Sequence, residues 1–322
     1  MSAFIFVEVC SYICTPLSIA SNVLILMIIR NTTSRQLTSY KLPLAMFAFS
    51  SILLSLTFLF CQPCVLLNND VILIVLLSPT CFIHPAVTSF CFVLFQATMI
   101  FCTLQVASPY LFKMLAKKEE TAKKWQIGSI VMALAVIWLV IMVPLIVFSF
   151  QTYDDIHERE EVHRRIVKDY TRFDQAPCFV AYKLHAITKV WLIMVAVTCS
   201  IGCLTVAVNA VLSSGLMRIP KLSKWATHPS VGFSQIANTS RLNACSMALM
   251  VVTPIALFTV FAVSGQPTYS YSIPLFLGSA FIPILNAYFV LFNVRAFRRA
   301  MSKIISFRGK SISTVSHISS DQ

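Results

Sequence analysis

Seven long apolar runs constrain this chain more than any other feature of its sequence. A helix needs about 20 consecutive, mostly apolar residues to cross the hydrocarbon core of a bilayer. Apolar residues make up 57% of the chain and charged residues only 11%, a composition typical of a protein surrounded mostly by lipid. The runs predict membrane-spanning helices over 4–29, 42–66, 86–112, 127–150, 186–212, 242–263 and 273–293.

A shorter apolar run, VILIVLLSPTCFI at 71–83, does not reach the length of a span, and Pro79 interrupts it. We expect a loop lying at the membrane surface. The alternative, an eighth span, would move the C-terminus to the other side. The first run lacks the basic start of a signal peptide and carries Glu8, so we expect it to remain as a helix.

The basic residues predict which way the chain crosses the membrane. The net charge is +13, and most of the 25 Lys and Arg residues follow spans one, three, five and seven. Because Lys and Arg accumulate in short cytoplasmic loops, the N-terminus is predicted outside and the C-terminus in the cytoplasm. The charge therefore indicates the inner face of a plasma-membrane protein, and no nucleic-acid partner is predicted.

The segment 154–174, DDIHEREEVHRRIVKDYTRFD, is dense in charges of both signs and joins spans four and five on the predicted outer side. It is either a solvated loop or a charged cap over a ligand entrance. Its histidines do not have the HExxH spacing of a zinc helix, and Cys61 and Cys64 form a lone CxxC, for which a core or loop role is expected. No metal, cofactor or enzymatic activity is predicted.

The region after the last span has helical periodicity. We expect an amphipathic helix over 294–307 lying on the anionic inner leaflet, followed by a disordered Ser/Thr-rich tail over 308–322. The apolar face comprises Phe297, Ala300, Met301, Ile304 and Ile305, and the basic residues on the other faces include Arg295, Arg298 and Arg299.

Span three carries polar and apolar side chains at helical spacing. Phe92, Gln96, Met99 and Thr103 are predicted to line a site for a small, weakly polar ligand. The alternative is hydrogen bonding between helices with no ligand. Lys189, Trp191 and Tyr271 are further candidate ligand contacts, with snorkelling or an interfacial position as the alternative for each.

Two prolines lie inside predicted spans. Pro254 in span six and Pro283 in span seven each remove a backbone hydrogen bond and favour a kink. Each kink is either a pivot for a conformational change or a static bend.

Four stretches resemble known receptors. SNVLILMIIR resembles the first helix of rhodopsin-like receptors, with Asn22 as its buried polar residue. RQLTSYKLPLAMFAF, SPTCFIHPAVTSFCFVLFQATMIF and FIPILNAYFVLFNVRAFRR resemble the second-, third- and seventh-helix regions of nematode serpentine chemoreceptors of the Str superfamily, most closely its srd class.

The resemblance implies an all-α bundle of seven transmembrane helices that acts as a G-protein-coupled odorant-type receptor in the sensory cilia of chemosensory neurons. The ligand would bind among the helices from outside, and outward movement of helix six would engage a heterotrimeric G protein. The alternative function is a transporter or channel. Such proteins carry intramembrane ionisable pairs or inverted repeats, and neither occurs in this sequence.

The resemblance also assigns individual residues. Asn22 and Asn286 would be switch residues, and a staple would join Cys81 to Cys178, with two free cysteines as the alternative. The sequence departs from the family pattern where Leu111 replaces an expected Arg and where Ala287 replaces a Pro. The residues assigned to the G-protein and inner-leaflet face are Tyr110, Lys113, Lys117, Arg218, Lys221, Arg295, Arg298 and Arg299.

Overall fold

The computed structural model describes residues 3–31, 41–68, 71–77, 85–105, 136, 178–183, 231–264 and 275–302. Helices and one small antiparallel sheet contain nearly all of these residues. The predicted spans 127–150 and 186–212 lie outside the described residues, apart from Val136.

The first three helices are α1 (Ala3–Asn31), α2 (Lys41–Cys61) and α3 (Pro85–Gln105). Their sequences are apolar almost throughout, which suits segments that satisfy their backbone groups internally and expose side chains to lipid. α2 packs against both α1 and α3.

A π-helical turn interrupts the helix in the region of the sixth predicted span. α4 (Val231–Met247) continues into a π turn (Ala248–Val252) and then into α5 (Thr253–Val263). The helix begins well before the predicted start at 242. The polar stretch at its beginning is helical too, and a prediction based on apolar length excludes such residues.

The seventh predicted span contains α6 (Leu277–Asn293), which packs against α1, α2 and α4. Val294 leaves the helix with extended backbone angles, and the short helix α7 (Arg295–Ser302) then runs at 87° to α6. Of the helix predicted over 294–307, the structure therefore describes the part that ends at Ser302.

Within the described residues, three helices are long and apolar enough to cross a membrane: Phe4–Asn31, Lys41–Cys61 and Asn238–Phe261. The bent pair of α6 and α7 brings the number to four if it is taken as one span. Large apolar side chains on their surfaces, such as Leu249, Phe49 and Val260, are more than 60% exposed, as expected for side chains that contact lipid.

A three-stranded antiparallel sheet corrects two predictions. The strands are β1 (Pro63–Asn68), β2 (Val71–Leu76) and β3 (Cys178–Lys183), with β2 in the middle. The run at 71–83 was predicted to be a surface loop, but its first part forms β2, because VILIVL is rich in β-branched residues that favour strands. The fold is therefore mostly helical rather than all-α, and span two ends as a helix at Cys61 instead of 66.

Two apolar clusters define the two ends of the bundle. One cluster joins α1, α2, the sheet and α3 with parts of α4, α5 and α6; we call the region around the sheet the sheet end. The other cluster lies at the α7 end, where Ile25, Leu44 and Val290 pack with the fully buried Phe297 of α7.

Candidate functional site

Of the α3 side chains predicted to line a ligand site, two are buried and one is partly buried. Phe92 and Met99 are buried and Gln96 is partly buried, while the inward face also includes Phe95 and Cys102. Thr103 lies on α3 as well. The other predicted ligand contacts, Lys189, Trp191 and Tyr271, lie outside the described residues.

Four aromatic rings form a connected group at the sheet end. The Phe95 ring centroid lies 5.8 Å from that of Phe58, 6.3 Å from that of Phe92 and 5.7 Å from that of Phe276, and Phe276 also meets Phe92 edge-on at 6.3 Å. These distances suit favourable aromatic pairs. The rings come from α2, α3 and the turn before α6, so the group ties these elements together.

The sheet packs on this aromatic group. Cys64, Val65, Val75 and Leu76 are at most 2% exposed and belong to the same apolar cluster as the four rings. The two cysteines of the CxxC motif, Cys61 and Cys64, are buried free thiols. Because burial raises the pKa of the Cys64 thiol, it stays protonated and unreactive.

Gln62, which the sequence analysis did not single out, lies between α2 and β1 in an unusual environment. Its φ of 41° falls in the left-handed region, and its N–H donates to the Phe58 carbonyl at 2.7 Å in a helix-terminating turn. Its side chain is fully buried, yet neither Nε2 nor Oε1 has a partner among the described residues. The one available sequence signal was a lone polar residue between the cysteines of CQPC.

A buried polar network joins α1, α2 and α6 between the two clusters. Asn22 Nδ2 donates to the carbonyl oxygens of Ser18 at 2.9 Å and Pro283 at 3.2 Å. The Ser18 and Ser55 hydroxyls lie 2.6 Å apart. The structure therefore brings together Asn22 and Pro283. Asn286 is buried with neither side-chain atom paired among the described residues.

The π turn in front of α5 is next to Pro254. Proline has no N–H for the carbonyl four residues earlier, which here belongs to Met250, and its ring would clash with that carbonyl in a regular helix. The N–H of Thr253 donates instead to the Ala248 carbonyl, five residues back. The Met250 carbonyl lies against Gly278 of α6, where an added Cβ would overlap it.

Three of the predicted basic residues are described at the α7 end. Arg295, Arg298 and Arg299 are exposed. The backbone N–H of Arg295 donates to Oε1 of Gln235 on α4 at 2.9 Å. Tyr110, Lys113, Lys117, Arg218 and Lys221 lie outside the described residues.

The strand pairing gives the position of one predicted disulfide partner. Cys178 begins β3 and lies opposite Leu76 at the end of β2. Cys81, five residues after Leu76 in sequence, lies outside the described residues.

Comparison with known proteins gives one match of nearly full length. The sequence model of the family described as serpentine type 7TM GPCR chemoreceptor Str matches residues 7–302. No curated protein matches the chain. The family match confirms the resemblance at the level of the Str family, without distinguishing the srd class.

Proposed function

Because the chain belongs to the Str family of serpentine seven-transmembrane GPCR chemoreceptors, we propose that it binds a small extracellular molecule beneath the sheet and activates a heterotrimeric G protein at the α7 end. The sheet end faces outward, in agreement with the basic loops on the other side. The receptor acts at the plasma membrane of sensory cilia, and we assign it to the srd class on the sequence stretches quoted above.

The buried amide of Gln62 is the observation that carries the ligand site. An unpaired buried polar group costs about 1–3 kcal/mol in proteins, so such a group usually has a partner in the working state. The amide offers a donating NH₂ group and an accepting carbonyl oxygen beside an aromatic and aliphatic cluster. The ligand is therefore a small, mostly apolar molecule with one polar group that both accepts and donates, such as an alcohol, a neutral carboxylic acid or a primary amide.

The α3 face contributes the apolar wall of this site. Phe92 and Met99 are buried in the same cluster as the residues of the sheet, and Gln96, Thr103, Lys189, Trp191 and Tyr271 are the further contacts that we propose. Ligand binding favours the receptor state in which the bound contacts are strongest, and signalling is the resulting shift in population.

The test compares wild type with Gln62→Met in nanodiscs, using purified G protein and a panel of odorants of the three ligand classes. Methionine has a similar size and removes the unpaired amide. We expect a higher melting temperature without ligand. We also expect an odorant response weakened about tenfold, because the ligand loses about one hydrogen bond.

Thr57→Val is the matched control on α2, because the Thr57 hydroxyl donates within its own helix, to the Leu53 and Leu54 carbonyls. Its odorant response should stay unchanged. An odorant response that is unaltered by Gln62→Met would remove Gln62 from the ligand site. A wild-type receptor that binds odorants in this panel without any nucleotide exchange would contradict the proposed signalling.

We also propose that Cys81 and Cys178 form a disulfide on the outer side. The pairing of Cys178 with Leu76 brings β3 beside the end of β2, and five residues of chain separate Leu76 from Cys81. The bridge would close a long loop, for which the chain-entropy model gives a stabilisation of about 4–5 kcal/mol. Finding Cys178 as a free thiol in the non-reduced protein by mass spectrometry would contradict it.

A further inference from the structure

The short helix α7 is poorly stabilised by its own sequence. Eight residues are too few for a stable isolated helix. Val294, in the capping position, has no side-chain oxygen to receive a free backbone N–H. Arg295 places positive charge at the N-terminus of α7, where the helix dipole disfavours it. The helix therefore depends on contacts from other elements.

Contacts with other parts of the chain support α7. The Phe297 side chain is fully buried in the cluster that α1, α2 and α6 form at the α7 end. At the N-terminus, Oε1 of Gln235 accepts the N–H of Arg295 at 2.9 Å. Gln235 lies on α4, 60 residues earlier in the chain, so the missing cap comes from a different helix.

We propose that Gln235 is a latch between α4 and α7 that holds the receptor in its resting state. The hydrogen bond exists only while the Gln235 end of α4 lies against the start of α7. Movement of α4 away from α7 breaks it and leaves the Arg295 N–H without its acceptor. The first turn of α7 then loosens, and the exposed Arg295 and Arg298 in that turn move with it. The role in signalling rests on the proposed function, whereas the coupling of α4 to α7 does not.

The backbone around Arg295 allows the donor to be removed separately. Val294 has φ −88° and ψ 109°, a conformation that a residue preceding proline also prefers. Proline is well tolerated at the first position of a helix, where its missing N–H breaks no hydrogen bond within the helix. Arg295→Pro therefore removes the donor of the latch without breaking α7, and Gln235→Ala removes the acceptor.

The first arm of the experiment measures hydrogen–deuterium exchange of residues 295–302 in nanodiscs, without G protein or ligand. We expect Gln235→Ala to speed exchange in the first turn about fivefold, within the usual range for loss of a cap. Gln235→Glu keeps an acceptor and should keep slow exchange. Asn238→Ala, at an exposed position one turn further along α4, is the control and should match wild type.

A double-mutant cycle makes the test specific. In the Arg295→Pro background, Gln235→Ala should cause no further change in exchange over 296–302, because the hydrogen bond is already gone. Unchanged exchange in Gln235→Ala, or an equal effect of this substitution in both backgrounds, would overturn the latch.

The second arm measures basal nucleotide exchange on G protein without ligand. Gln235→Ala should raise it about fivefold, and Gln235→Glu should not. If α7 loosens in Gln235→Ala while basal activity stays at the wild-type level in a receptor that responds to odorant, the latch does not hold the resting state. A receptor without any response to odorant would contradict the proposed function instead, and the hydrogen-exchange arm would still decide the coupling.

Discussion

At the residue scale, some of the buried polar side chains join helices, and others have no partner among the described residues. Asn22 and the Ser18–Ser55 pair connect α1 to α6 and to α2. Ser50 donates to Gln105 Oε1 at 2.6 Å and connects α2 to α3. In contrast, Gln62 and Asn286 lack side-chain partners among the described residues. The paired groups support the fold, and the unpaired ones are candidates for ligand or water.

Replacing Asn22 tests whether the paired polar side chains stabilise the packing of the helices. Asn22→Ala should lower the free energy of unfolding by about 1–3 kcal/mol, because it leaves buried carbonyl groups of α1 and α6 with fewer hydrogen bonds. The measurement is thermal unfolding in detergent. Ser21→Ala is the control, since the Ser21 hydroxyl donates to the Leu17 and Ser18 carbonyls of its own helix. Equal melting temperatures for the two variants would show that Asn22 does not join the helices.

At the element scale, the helix that contains α4 and α5 is interrupted by the π turn at the point where it contacts α6. Pro254 has no N–H to donate to the Met250 carbonyl. This carbonyl, which belongs to the π turn, lies against Gly278. π turns often occur at functional sites. Glycine allows the two backbones to approach closely here, so the turn and the glycine form one close contact between the two helices.

Adding a single methyl group at Gly278 tests this contact. In Gly278→Ala the new Cβ would overlap the Met250 carbonyl oxygen, a backbone atom that cannot swing away. We expect a loss of about 1–3 kcal/mol in the free energy of unfolding, typical of overpacking. Leu249→Ala, on the same turn but 69% exposed, should melt near the wild-type temperature. If Gly278→Ala were as stable as wild type, the two helices would lie further apart than the contact between Gly278 and Met250 requires.

At the scale of the whole molecule, the orientation in the membrane decides which end meets the ligand. Asn31 and Asn238 both lie in glycosylation motifs and on the predicted inner side. In the structure Asn31 ends α1 and Asn238 is exposed on α4. Exposure alone would allow a sugar on Asn238, so its modification state reports the topology rather than the fold.

Glycosylation in cells therefore tests the topology. Neither Asn31 nor Asn238 should carry sugar, and glycosidase treatment should leave the mobility of the wild-type protein unchanged. Asp169→Asn creates the motif Asn-Tyr-Thr in the predicted outer segment and should give a mobility shift that glycosidase removes. Sugar on Asn31 or Asn238 would reverse the orientation and with it the proposed ligand entrance.

Features that depend on local sequence could be predicted, whereas features that depend on contacts between distant parts of the chain could not. The existence of α1, α2, α3 and α6 followed from apolar length, because a chain in lipid must bond its backbone within each segment. The periodicity of the tail predicted a helix with Phe297 on its apolar face, and Phe297 is buried. The strand at 71–76 was missed because short apolar runs do not distinguish a strand from other buried segments. One of its pairing partners, at 63–68, is its neighbour in the chain, whereas the other, at 178–183, is about a hundred residues away.

The sequence by itself determined the family, the mostly helical class and the membrane setting, since composition, apolar length and local motifs carry that information. Tertiary structure alone decided that the Gln62 amide is buried with no partner in the described part of the chain, that Gly278 meets Met250 and that Gln235 caps α7. Periodicity tells which face of an element is apolar, but it does not tell which neighbour that face meets. These contacts join residues far apart in the chain, so they exist only once the helices have packed together.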